Sequence, residues 1–382
     1  MTAGAGAAAA RPLAGIRVVE LARILAGPWA GQILADLGAE VVKVEAPEGD
    51  ETRRWGPPFV DNPDGSRDAA YFHATNRGKT SIRADFADAG DLARVRALIA
   101  DADVVIENFR IGSLARFGLD AASLCARHPR LVCCSITGFG QDGPYAHRAG
   151  YDFAIQAMSG IMDLTGEPDG APQKIGVAFA DIMTGLYATI AIQAALRQRD
   201  VTGRGQAIDM ALFDVMTGVL ANQAMNYLVS GRVPHRLGNA HPNIAPYEAF
   251  AAADGPFVLA VGSDAQFARA MAVLDIADAA GDARFRTNAD RVAHRAELAA
   301  LIGERCRTWP RAALLDALAA AGVPAGPVNT LAEAFADPQI LHRAMAVPLQ
   351  RDDGVRVPAV RLPIRMSGAD LSPTTPAPRL GE

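Results

Sequence analysis

The residues best suited to covalent chemistry lie in Gly176-Val-Ala-Phe-Ala-Asp181-Ile-Met-Thr-Gly-Leu-Tyr-Ala188. One carboxylate, Asp181, stands between a small-residue loop and an apolar run that carries no charge or proline from Ile182 to Leu196. That is where a helix N-cap belongs. In one reading Asp181 only caps. In the other, the unpaired N–H groups and dipole of the helix start hold the carboxylate ionised, and such a carboxylate can attack an acyl carbonyl. Local sequence leaves both open.

Other catalytic templates fail on spacing. Gly138-Phe-Gly140-Gln-Asp-Gly143 matches G-x-G-x-x-G after a strand, as a dinucleotide fingerprint should. No apolar helical stripe follows it, however, and no acid ends a second strand about 20 residues on. The loop is read instead as one that approaches some other ligand closely. There is no G-x-S-x-G, Walker A or H-E-x-x-H sequence, so serine-hydrolase, phosphate-loop and zinc-protease chemistry lack their motifs. The histidines show no ligand spacing; His241, next to Pro242-Asn243 in a glycine- and proline-rich loop, is the one singled out. Cys125, Cys133, Cys134 and Cys306 have no CxxC spacing, which points to buried thiols and not to zinc or disulfides.

The elements that must position Asp181 alternate. Short strands at 16–20, 40–45, 80–82, 104–106, 131–136 and 206–212 are separated by helices from Pro28, from Asp91, at 120–127, after Asp181 and at 214–229. This pattern predicts an α/β fold, a Rossmann-like large domain with a parallel sheet. Residues 48–65 read as a surface loop. A hairpin turn at Asp254-Gly255, with helices at about 264–273, 288–306 and 310–321, predicts a smaller α+β domain. The expected organisation is a disordered leader over 1–11, the first part of the large domain over 12–224, the small domain over 225–325, and a return to the large domain over 326–382. The net charge of −5 and the lack of a basic run argue against a nucleic-acid surface. No stretch reaches about 18 consecutive apolar residues, so no membrane span is expected. The opening residues lack a basic n-region, and a cytoplasmic enzyme of central metabolism is the expectation.

The chain resembles the class III CoA-transferases, the family of carnitine, bile-acid and formyl-CoA transferases and of α-methylacyl-CoA racemase. The motifs run nearly end to end: Pro12-Leu-Ala-Gly-Ile-Arg-Val-Val-Glu-Leu21, Ala26-Gly-Pro28, Leu37-Gly-Ala-Glu-Val-Val-Lys-Val-Glu45, Val105-Ile-Glu-Asn-Phe-Arg110, Ser135-Ile-Thr-Gly-Phe-Gly140, Gly176–Asp181, Thr202-Gly-Arg-Gly-Gln206, Val261-Gly-Ser-Asp-Ala-Gln-Phe267 and Ala321-Gly-Val-Pro-Ala-Gly-Pro-Val-Asn329. The resemblance implies a homodimer of two interlocked open rings and coenzyme A as a substrate, with no permanently bound cofactor or metal. It places Asp181 on the family's catalytic aspartate, which forms mixed-anhydride and aspartyl-CoA thioester intermediates. It also implies coenzyme contacts at Leu25, Ala26, Ala84, Asp85, Phe86, Asn108, Phe109, Arg110 and Arg116. Ile136, Thr137, Gly138, Phe139, Tyr151 and Asp152 would line the path to Asp181, with His241 and Asn243 toward the substrate.

Departures from the formyl-CoA transferases bear on the substrate. Leu25 replaces a usual glutamine, Ala46 an arginine and Ala149 a lysine, and Gly238–Tyr247 stands in place of a tetraglycine loop. These argue against oxalate and formate. The loop resembles that of members that move CoA from succinyl-CoA to dicarboxylic acids, with Arg53, Arg54 or Arg77 as partners for a second carboxylate. The racemase branch carries a histidine where this chain has Tyr151, and a phenol with pKa near about 10 is a poor proton shuttle at neutral pH. Racemase and non-catalytic CoA-binding protein are the rival readings.

Overall fold

The computed structural model describes residues 11–382. The leader read at 1–11 lies outside the described residues except for Arg11, whose guanidinium donates to the Ser372 carbonyl at 2.7 Å. The chain divides into two compact units. The second comprises Met162–Gln173 and Arg232–Asp337; the first holds the remaining described residues, including Lys174–Gly231 and Pro338–Glu382.

In the first unit the chain runs β1 (Arg17–Glu20), α1 (Ala26–Asp36), β2 (Glu40–Glu45), the hairpin β3 (Phe59–Asp61) and β4 (Arg67–Ala69), α2 (Ala70–His73), β5 (Lys79–Arg83) and α3 (Ala89–Ala100). It continues through β6 (Val104–Glu107), α4 (Ala121–Arg127), β7 (Val132–Thr137) and α5 (Asp152–Met158), leaves for the second unit within the short helix α6 (Ile161–Leu164), and returns for α7 (Phe179–Thr202), β8 (Ala207–Ala211), α8 (Leu212–Gly218) and α9 (Ala221–Ser230). Six strands form one sheet in the order β5-β2-β1-β6-β7-β8, all pairs parallel. The order reverses between β1 and β6, which is the switch point of a doubly wound sheet. The central strands carry apolar runs, Val18-Val19, Val104–Ile106 and Val132–Cys134, because both faces are covered. Val18, Val104, Ile106, Val132 and Cys134 pack with α1 and α7 on one face, and Val19, Val105 and Cys133 with α3 and α4 on the other.

Helix α7 carries Asp181 and crosses the unit against α1. It is long and apolar enough to cross a bilayer by length and composition, yet its Ala188, Ile192 and Ala195 belong to the sheet-covering core. Its contact face is made of small residues so that two backbones meet. A side chain on Gly185 would stand 2.7 Å from the Ala26 carbonyl and 2.9 Å from the Trp29 ring. Close approach at Gly185 therefore brings Asp181, one turn earlier, to the N-terminal end of α1.

In the second unit β9 (Tyr247–Ala252), β10 (Gly255–Ala260) and β11 (Ala325–Pro327) form an antiparallel sheet in the order β11-β10-β9. It packs with α10 (Asp264–Val273), α12 (Arg295–Cys306) and α13 (Arg311–Ala320) around Phe257, Leu259, Phe267, Ile302 and Leu314. Here the helix expected over 288–306 is split into α11 (Asn288–Ala293) and α12 at His294. Buried Arg291 pins α11 by donating to the carbonyls of Ala245 and Phe285 and to Asp264. The helix α14 (Leu331–Ala336) closes this unit. The chain then adds α15 (Pro338–His342) and the hairpin β12 (Ala346–Gln350) and β13 (Arg356–Val360) to the first unit. The helix expected over 214–229 is also interrupted, after α8 ends at Gly218, and Ala221, the first residue of α9, has φ +44°. The loop read at 48–65 holds a 3₁₀ turn at Glu51–Arg54 and strand β3.

Candidate active site

Two clefts open at the carboxyl ends of the parallel strands, where ligands of open α/β sheets bind. The first is built from the turns after β1, β6 and β7 together with the start of α7. Its walls include Leu25, Ala26, Asn108, Phe109, Arg110, Ile136, Thr137, Gly138, Tyr151, Asp152 and Asp181. The second lies beyond β2 and β5, against Ala84, Asp85, Phe86, Phe109 and Arg116. Arg23 and Phe109 line both, and the Arg23 guanidinium sits 5.4 Å from the Phe109 ring centre. These volumes of about 280 and 420 Å³ lie near the low end for drug-sized ligands.

Asp181 is not the N-cap. Helix α7 begins at Phe179 with Ala178 as its cap residue, so Asp181 is the third helical residue and points from the first turn. The capping carboxylate comes from elsewhere: Asp152 Oδ1 accepts from the backbone N–H groups of Ala180 at 2.7 Å and Asp181 at 3.3 Å. Asp152 Oδ2 accepts from the Gln156 amide at 2.8 Å, and buried Gln156 in turn receives the Ile175 N–H at 3.0 Å. Asp152 thus takes the donors that were expected to hold Asp181 charged. Burial, and then the like charge of Asp152, push the Asp181 carboxyl up to about 7. The expectation of a carboxylate kept ionised by the helix start is corrected. At neutral pH Asp181 is close to half ionised, and its anion is correspondingly more basic than an ordinary carboxylate.

Of the coenzyme positions drawn from the resemblance, all but one line a cleft. The exception is Phe139, whose ring is half-buried against Phe213 at 5.8 Å and Tyr145 at 5.5 Å, behind the wall. The G-x-G-x-x-G loop owes its first glycine to the chain itself: a side chain on Gly138 would meet the Gly150 Cα at 2.5 Å. Arg53 and Arg77 are buried, and neither lines the cleft that holds Asp181. Arg53 is spent on Glu45 and Asp68, and Arg77 on Asp36. Arg54 lines the second cleft. The basic residues that line the cleft with Asp181 are Arg23, Arg110, His147 and Arg148. His241 and Asn243 lie in the second unit, where His241 Nδ1 accepts the Asn243 N–H at 3.1 Å and its ring meets Tyr247 at 5.2 Å.

Tyr71 escaped the sequence reading because it sits on the four-residue helix α2, in a stretch with no periodicity. Burial, followed by the charges of Asp181, Asp152 and Asp50, raises its hydroxyl to about 12. It remains a neutral phenol at neutral pH, and its ring packs edge-on against Trp55 at 5.3 Å.

A doubly wound parallel sheet with a carboxylate in the cleft at its switch point defines an α/β protein whose ligand site lies at the carboxyl ends of the strands. The chain belongs to CoA-transferase family III, whose family model matches residues 13–382, and it is an acyl-CoA:carboxylate CoA-transferase. It is 57% identical over 373 residues to a succinate–glutarate CoA-transferase of Agrobacterium fabrum, covering 97% of this chain and 93% of that protein. An acetyl-CoA:oxalate CoA-transferase of Acetobacter aceti is 39% identical, with 97% and 93% covered. A crystal structure of a CAIB/BAIF family protein from Brucella suis superposes with a TM-score of 0.87 at 61% identity, covering 97% of each chain.

Proposed function

We propose that this protein moves CoA between succinate and glutarate, or dicarboxylates of similar length, with Asp181 as the nucleophile. The observation that carries the mechanism is a half-buried carboxylate, raised to about 7, at the junction of the cleft walls and the start of α7. An Asp181 oxygen attacks the thioester carbonyl, CoA leaves as thiolate, and a mixed anhydride forms. The thiolate then attacks the aspartyl carbonyl, which releases the donor acid and leaves an aspartyl-CoA thioester. The acceptor carboxylate attacks that thioester, and a second anhydride forms as CoA leaves again. A final thiolate attack on the acceptor's carbonyl yields the new acyl-CoA and frees Asp181. Splitting the exchange into covalent steps keeps the thioester's free energy from being lost to water.

An acyl-CoA is longer than either cleft, so it would span both, its acyl end toward Asp181 and its nucleotide toward Ala84–Phe86 and Arg116. Arg23, Arg110 and Arg148 supply guanidinium donors suited to phosphate or to a second carboxylate. The racemase reading lacks its base: Tyr151 is exposed and carries a phenol in place of the imidazole. The homodimer belongs to the same proposal, supported by apolar side chains left exposed on α7 and α9, among them Ile190, Val201, Leu228 and Val229.

Incubation with succinyl-CoA and a panel of acids tests the substrate. Glutaryl-CoA should form far faster than oxalyl-CoA, and hydroxylamine should trap Asp181 during turnover. Preference for oxalate would transfer the substrate to that of the Acetobacter relative. Solvent exchange of the α-proton of a 2-methylacyl-CoA, without acid exchange, would support the racemase.

A further inference from the structure

The turn between β1 and α1 is held in a conformation its sequence disfavours. Ile24 has φ +71°, in the left-handed region where a β-branched residue is an outlier. Its surroundings over-determine it. The Ile24 N–H donates to Asp50 Oδ2 at 3.2 Å. Next to it, the Arg23 N–H donates to Asn108 Oδ1 at 3.0 Å and the Arg23 carbonyl accepts from Asn108 Nδ2 at 2.7 Å. Asp50 is itself fixed. Its Oδ1 accepts the Thr52 N–H and hydroxyl at 3.0 and 2.8 Å, and Lys43 Nζ lies 3.0 Å from Oδ2.

Lys43 borders the second cleft and would pass for a phosphate ligand. It is not free for that. Its ammonium also reaches Glu20 at 3.1 Å and the Ala22 carbonyl at 2.9 Å, so all three donors are used. Glu20 is shared with Lys79 at 2.8 Å, and two acids and two ammonium groups balance one another inside the protein. The network ends on the backbone of Ile24. Strain of this kind persists where a ligand-binding segment must be held ready, and the left-handed turn is what delivers Leu25 and Ala26 to the first cleft.

We propose that Asp50, backed by Lys43, is a positioning residue. It holds Ile24 left-handed and so sets where an acyl-CoA spanning the two clefts presents its thioester to Asp181. This rests on the coenzyme placement proposed above.

The test is a coupling measurement. Asp50→Asn should lower kcat/KM for the acyl-CoA by about tenfold while leaving KM for the acceptor acid unchanged. In an Ile24→Gly background, where the left-handed region is freely accessible, the same substitution should change kcat/KM less than about threefold relative to Ile24→Gly alone. An equal loss in both backgrounds overturns the clamp. If Asp50→Asn does not fold because Lys43 is left without its acid, Lys43→Met is added in both backgrounds to remove the ammonium with its partner, and an equal loss in the two backgrounds then overturns the clamp too. The coenzyme placement is read separately, from amide hydrogen exchange in the wild type. Desulfo-CoA should slow exchange at Arg23 and Phe109, and unchanged rates there would remove the placement whatever the coupling shows.

Discussion

At the scale of single residues the chemistry turns on how Asp181 and Asp152 divide their roles. Two carboxylates stand at one helix start, and its free donors are not shared evenly between them. The backbone N–H groups go to Asp152, and Asp181 is left poised near neutrality. Asp181→Asn should therefore reduce kcat by a factor on the order of 10³ or more with substrate KM little changed, measured by acyl-CoA exchange. Since attack requires the anion, kcat/KM of the wild type should rise with pH and level off above about 7. Asp152→Asn keeps an oxygen for the Ala180 N–H but removes the like charge, so the rise should move to lower pH. The sign for stability is opposite to that of an ordinary ion-paired acid. The folded form holds its Asp181 proton up to about 7 and the unfolded chain releases it near the usual 3.8, so stability falls as pH rises across that interval. Asp181→Asn should raise Tm at pH 8 by on the order of a few °C, and the gain should vanish by pH 4.

At the scale of elements, the site depends on how closely α7 lies on α1. Gly185 is the point of contact, with room for a hydrogen but not a methyl group. Gly185→Ala should push the helix pair apart, lower Tm by several °C through overpacking on the order of 1–3 kcal/mol, and reduce kcat because Asp181 moves away from Ala26. A comparison with Ala188→Gly, on the same face but of opposite volume change, checks that loss of activity follows displacement and not destabilisation alone. Boundaries were legible at Asp120 and Ser263, whose side chains accept the N–H three residues on, whereas α3, expected from Asp91, begins at Ala89 behind Asp88, which accepts the Asp91 N–H. They were misplaced where the capping group comes from far along the chain, as Asp152 does for α7.

At the scale of the whole molecule, the doubly wound sheet puts every cleft-forming turn at one edge. The turns after β1 and β6 reach both clefts, which share Arg23 and Phe109 as walls. The proposed homodimer gives the exposed apolar residues of α7 and α9 a partner. Light scattering should return twice the chain mass, and Leu228→Glu with Val229→Glu should shift it toward the monomer. A monomeric wild type would leave that apolar surface without the proposed partner.

By itself the sequence determined the alternation of strands and helices, the parallel sheet, the ordered motifs of the family and Asp181 as the residue to watch. These are properties of local pattern and of periods of two and 3.6 residues, and they survive without knowledge of distant contacts. Only the tertiary structure decided that Asp152 and not Asp181 caps α7, that burial and nearby acids raise the Tyr71 hydroxyl, that Arg53 and Arg77 are consumed by internal partners, and that Ile24 is held left-handed. Each of these depends on which groups from remote parts of the chain meet in a desolvated space, where one hydrogen bond or like charge changes the chemistry of its neighbour.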